Sequence, residues 1–196
     1  MLRDRLLCYK YDAFVSFDHD DTWVRTELMP RLESAVEPQH SIGDFSSEDT
    51  SILHRALSLC IHQRDFEAGS GIQENIVAAI EQSSKVILVL SNNFLRSHWC
   101  MFEFEMAQMQ SLERGRNIIV PIMLTFIEMA DMPSCLQWLV RRNTYISWNE
   151  DECPADREEF WTRLRRVLND SGLDPWICEC GKTIFEKNDA RATTDA

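Results

Sequence analysis

The sequence has no long apolar run. Crossing a bilayer takes roughly 18–20 such residues, and the longest stretch, from Ile118 to Leu124, is interrupted by Pro121. It has no excess of positive charge. Lys and Arg number 20 against 32 Asp and Glu, a net charge of −12. That balance argues against a nucleic-acid binder, whose affinity comes mainly from Lys and Arg on phosphates. It lacks a disulfide framework: the seven cysteines are an odd number at irregular spacing. Cys60 and Cys100 lie inside apolar runs, as buried reduced thiols do, which implies the cytosol or the cytosolic face of a membrane. Cys178-Glu179-Cys180 has a metal-like look, but no second pair of ligands lies nearby, so no metal site is expected. The five histidines, His19, His40, His54, His62 and His98, form no ligand cluster. No Gly-Lys-Ser/Thr follows Gly69 and Gly71, and no Gly-x-Ser-x-Gly is present. A nucleotide P-loop and a nucleophile elbow are therefore unsupported. Met1 to Cys8 is too short and too charged for a secretory signal.

What is present suits one globular domain. An apolar fraction of 44% over 196 residues fits a domain of roughly 150 residues with ragged ends. We place it at residues 11–170. Residues 1–10 read as a juxtamembrane or appended segment, with Cys8 an ordinary thiol or an acylation site. Residues 171–196 read as a polar tail, expected to be flexible. The chain is either soluble or a cytosolic piece whose membrane anchor lies outside it.

Periodicity gives an alternating order of elements. Tyr11 to Phe17 is aromatic and β-branched and predicts a strand. Asp20 and Asp21 open a helix marked by Trp23, Val24, Leu28, Leu32 and Val36, running to about Glu37 before Pro38. Residues 39–50 read as a surface insertion, with a possible helical turn at 52–56. Leu57 to Ile61 predicts the second strand, and Ile72, Ile76, Val77 and Ile80 the next helix. Lys85 to Leu90 is continuously apolar after its lysine, as in a strand covered on both faces. Ser97 opens a helix to about Glu113, closed by Gly115. Asn117 to Ile122 is the fourth strand, and Pro121 should lie at its end or at an edge. A short helix after Pro133, a strand at Thr144 to Trp148, and a helix carrying Phe160, Trp161, Leu164, Val167 and Leu168 complete the order. The expected fold is α/β, a five-stranded parallel sheet with helices on both faces.

In such folds the loops at the carboxyl ends of the strands usually meet ligands or partners. One of them is unusual. After Leu57 to Ile61 the apolar pattern breaks at Arg64-Asp65, and Phe66 stands among Glu67, Ala68 and Gly69. A connecting loop needs no such aromatic, so this loop is the candidate site. The plain alternative is that Arg64 and Asp65 satisfy loop backbone and Phe66 caps the core. Gly69-Ser70-Gly71 before a helix is also a candidate anion nest.

Four segments, in order, now carry a resemblance. They are Tyr11 to Phe17; Leu59 to Phe66 with Gly69; Val89 to Phe94 continuing to Ser97-His98-Trp99-Cys100; and Phe160-Trp161. Together, over roughly residues 10 to 170, they resemble the Toll/interleukin-receptor (TIR) domain, in its Toll-like receptor branch, with its flavodoxin-like fold. The resemblance implies innate immune signalling by contact. TIR domains of receptors associate with each other and with adaptor TIR proteins, and the loop after the second strand, the BB loop, is a principal contact. Arg64, Asp65, Phe66, Glu67, Ala68 and Gly69 would form that loop here. No cofactor and no nucleic acid is implied, and a membrane only through a parent receptor's transmembrane helix. Toll-like receptors usually carry proline two residues after the loop's aromatic; this chain has Ala68, which removes a constraint on φ.

Two alternatives stay open. Some TIR domains cleave NAD, using a glutamate in a Trp-Cys-x-x-Glu segment, and Glu103 matches that position. Receptor-type members carry the same segment, and Glu103 then reads as a first-turn acid facing the helix dipole, with Trp99 and Cys100 in the core. The other alternative is a free-standing TIR adaptor or decoy.

Overall fold

Five short segments, most of them buried on both faces, build one parallel sheet. In the computed structural model, which describes residues 9–35, 55–142, 145–149, 151 and 153–170, the strands are β1 (Tyr11–Ser16), β2 (Leu59–Ile61), β3 (Ser83–Leu90), β4 (Ile119–Met123) and β5 (Ile146–Ser147). Their order is β2-β1-β3-β4-β5, with every neighbour parallel. All eight residues of β3 are buried, as the continuous run at 86–90 requires of a central strand.

Successive side chains leave a strand on opposite faces, so each strand feeds two cores. Ala13, Val15, Ile87, Val89, Val120 and Ile122 join one core, under α1 (Met29–Glu33) and α7 (Pro154–Asn169). Phe14, Val86, Leu88, Leu90 and Ile119 join the other. That second face lies under α3 (Ile72–Glu81), α4 (Asn92–Arg96), α5 (His98–Glu113) and α6 (Ser134–Arg142). A single helical turn, α2 (His62–Asp65), follows β2.

Several expectations are corrected. The first helix starts as a π-helical turn, Val24–Leu28, and ends at Glu33, where Ser34 is already extended; the anticipated stop near Pro38 lies outside the described residues. So do the 39–50 insertion, most of the 52–56 turn and the 171–196 tail. β2 is shorter than predicted because Leu57 N donates to Leu32 O and Ser58 N to Asp12 Oδ2. α4 was not anticipated. It forms because Ser91 accepts from Phe94 N at its start. Gly115 does close α5, with φ 63°, after the Arg114 cap.

Pro121 sits in mid-strand, opposite Leu88, yet the ladder loses nothing there. Val86 N donates to Ile118 O and Leu124 N to Leu90 O, so the even residues of β4 face β3. The Pro121 nitrogen therefore points the other way, where β5 begins only opposite Ile122. A proline belongs where no ladder donor is needed.

Two arginines lock the amino-terminal end of the sheet. Buried Arg165 donates to the carbonyls of Arg31, Ser34 and Arg55. Arg114 donates to those of Ile80, Glu81 and Ser83, holding the end of α3.

Candidate interaction site

The β2–α3 connection leaves the carboxyl edge of the sheet, as expected, but it is organised from inside. Asp65 turns back, and its Oδ2 accepts from Ile61 N at 2.7 Å, which fixes the α2 turn at the strand end. Arg64 donates to Leu59 O at 2.6 Å and pairs with Glu33 at 2.9 Å and Asp65 at 3.1 Å. Those two carboxylates hold its guanidinium above the ordinary arginine pKa, Glu33 first. Arg64 thereby ties the base of the loop to the end of α1.

Phe66 is not displayed. It is half-buried, stacked on Phe14 with centroids 6.2 Å apart, and edge-on to His62 at 6.1 Å. His62 in turn lies 4.9 Å from Phe17. Burial, then the nearby Arg25 and His19, push the His62 pKa down, so it serves this row of rings as a neutral aromatic. The plainer reading of Arg64, Asp65 and Phe66, as loop framework, describes their geometry.

Beyond Phe66 the chain turns on Gly69, at φ 94°. Asn75 on α3 clips the turn shut. Its Oδ1 accepts from Glu67 N at 2.8 Å, and its Nδ2 donates to Glu67 O at 3.1 Å and Gly71 O at 3.3 Å. A side-chain amide bonding one residue's N–H and C=O together replaces the constraint that proline would supply at Ala68. The suggested anion nest is filled by the protein itself: Glu74 Oε2 accepts from Gly71 N at 3.4 Å, putting a carboxylate where an anion would bind.

The surface left to solvent is Glu67, Ala68, Gly69, Ser70, Gly71, Ile72, Gln73 and Glu74. Of these only Ile72 is large and apolar, and it is 52% exposed. Helical spacing groups Ile72 with Ile76, Val77 and Ile80, yet Ile72 lies open to solvent while Ile76 and Ile80 are buried. Asn75 carries no pattern that reading could use, although an asparagine near a helix start after a glycine turn was the available signal.

Glu103 is a different kind of group. It lies in the second turn of α5, not the first, and is 5% exposed. Ser16 Oγ at the end of β1 donates to its Oε2. Burial pushes its carboxyl up to about 8, with the Ser16 bond pulling back. Cys100 is buried and its thiol pushed up to about 12, but Trp99 is 48% exposed, against the expectation of a core residue. Nearby, Asp21 is buried and accepts from Ser91 Oγ at 2.6 Å and Asn93 Nδ2 at 3.0 Å. Its side chain joins the β1–α1 loop to α4, while its carbonyl accepts from Val24 N at 3.2 Å where the first helix begins. Among the described residues the metal-like grouping is the trio Asp18, His19 and Asp20, the last two exposed. No helix of the described residues is long and apolar enough to cross a membrane.

Comparison with known proteins agrees with this architecture. The family model of the TIR domain matches residues 10–194. Toll-like receptor 1 of Homo sapiens is 34% identical over 82% of this chain, and Toll-like receptor 4 of Sus scrofa is 36% identical over 86%. The chain spans 18% of the length of each. In structure it is similar to the TIR domain of a Toll-related receptor from Hydra magnipapillata, at TM-score 0.56 and 24% identity, covering 82% of this chain and 99% of that one. It is also similar to a metazoan TIR-STING receptor from C. gigas, at TM-score 0.54 and 24% identity, covering 82% of this chain and 40% of that one. With its five-stranded parallel sheet and its identity to Toll-like receptors over most of its length, the chain belongs to the TIR domain family.

Proposed function

We propose that this chain is the cytosolic signalling portion of a Toll-like receptor and works as a scaffold. It associates with TIR domains of its own kind and recruits adaptor TIR proteins through the β2–α3 loop, in innate immune signalling. The observation that carries this reading is the 34–36% identity to Toll-like receptors over more than four-fifths of the chain. The loop geometry supports it. Arg64, Asp65, Phe66 and Asn75 hold the turn rigid, and Glu67 through Glu74 are presented on it. A preorganised loop loses less conformational freedom on binding. Its exposed acids, Glu67 and Glu74, favour a partner with a basic face. Individual contacts of this size are weak, and clustering supplies avidity.

Burial of Glu103 weighs against the NAD-cleaving reading, because a catalytic carboxylate must touch its substrate. The test has two arms. In an adaptor pull-down, Ile72→Asp and Glu67→Lys should abolish recruitment while melting behaviour stays that of the parent; full recruitment by both would refute the loop as the contact. The purified protein should leave NAD intact. Cleavage that disappears in Glu103→Ala would overturn the scaffold reading.

A further inference from the structure

Between the carboxyl half of α5 and the facing side of α6 the surface opens into a groove of about 810 Å³. Its walls include Leu112, Ile119, Trp138 and Leu139, with Cys135 and Arg116 among them. Leu112 is 82% exposed and Trp138 56% exposed. Met109, one turn back on α5, is 53% exposed. Contiguous apolar surface of this kind marks a site that something covers, and the scaffold loop at the opposite edge of the sheet does not use it.

We propose that residues 173–177 of the same chain dock in this groove. The position where α7 ends supports this occupant. Asn169 Oδ1 accepts from Arg55 Nε, and Arg55 pairs with Asp12 at the start of β1. Asp170 and Arg116 both act on the Lys85 ammonium near the start of β3. The described chain therefore leaves α7 at the amino end of the sheet, the end at which Arg116 of the groove wall lies between α5 and β4. Leu173, Trp176 and Ile177 follow within seven residues, and that length reaches about 20 Å when extended. Asp174 in the same segment is opposite in charge to Arg116. A tethered segment meets the groove at an effective concentration on the order of millimolar, which favours it over a second copy at ordinary concentrations.

Cys135 reports on the groove, and exposed Cys153 at the start of α7 serves as the internal reference. The full chain is reacted with a bulky maleimide and each cysteine is quantified by peptide mapping. Double substitution Trp176→Ala and Ile177→Ala should speed Cys135 labelling about tenfold relative to Cys153, the release of roughly 1.4 kcal/mol of docking. Leu112→Asp should do the same from the groove side. Buried Cys60 and Cys100 should stay unreactive in all variants, confirming the fold. An unchanged Cys135 ratio in the tail variant overturns the proposal. So does protection of Cys135 that rises with protein concentration, which would name a second copy as the occupant.

Discussion

Replacing Phe66 by alanine separates the framework of the loop from its surface. Complete removal of a core phenylalanine costs about 3–5 kcal/mol. Phe66 is half-buried, with one ring face on Phe14 and an edge on His62, so the expected loss is about 2 kcal/mol, near half that range. For a domain of this size each kcal/mol moves the melting temperature by roughly 2–4 °C, giving a fall of about 4–8 °C. Ile72→Asp has no comparable cost: the residue is exposed at the first position of α3, where an acid suits the helix dipole, so stability should change by about 0.5 kcal/mol or less. The assay is paired: thermal melts of both variants, and adaptor recruitment measured at a temperature where both are folded. Phe66→Ala should lose stability first and recruitment only as the loop loosens. Ile72→Asp should lose recruitment alone. A Phe66→Ala protein that melts with the parent would refute the claim that this ring is a strut.

Four other outcomes are expected. Glu103 is neutral in the folded protein up to about pH 8 and ionised in the unfolded chain above the ordinary carboxyl range. The folded state then holds the extra proton, so stability should fall as pH rises between about 4.5 and 8; Glu103→Gln should flatten that slope in urea denaturation, and equal slopes would sink the argument. Asn75→Ala should accelerate hydrogen exchange at the Glu67 amide, with no change in β3; unchanged Glu67 protection would show that Asn75 does not close the turn. Arg165→Met strips three part-buried carbonyls of their charged donor and should cost about 3 kcal/mol by chemical denaturation, whereas a loss under about 1 kcal/mol would contradict the clamp. Cys60 and Cys100 should resist thiol reagents until the protein unfolds, since burial holds Cys60, like Cys100, up to about 12; rapid modification of either in the native state would contradict their burial.

The sheet was legible because its signals are local. Val86 to Leu90 reads as a central strand from five consecutive residues, and Ser97 and Gly115 mark the limits of α5 by their own chemistry. Several misreadings come from contact between residues far apart in sequence. Leu57 leaves the strand to bond Leu32, Ser91 starts α4 while donating to Asp21, and Glu103 meets Ser16 across 87 positions. Periodicity also fails at helix ends. Ile72 shares the spacing of Ile76 and Ile80, but it is the first residue of α3 and overhangs the core.

The same reasoning revises what an apolar residue in a polar loop means. The sequence offers Phe66 as bait and Ala68 as a loss of rigidity. In the structure the aromatic is an internal support, and rigidity comes from Asn75, seven residues beyond Ala68. A turn built this way can change its exposed side chains at Glu67, Ala68, Ser70 and Ile72 without disturbing the supports beneath them, while Gly69 is kept by its φ of 94°. Partner preference in this loop should therefore follow the exposed face, while Arg64, Asp65, Phe66 and Asn75 decide whether there is a face to present.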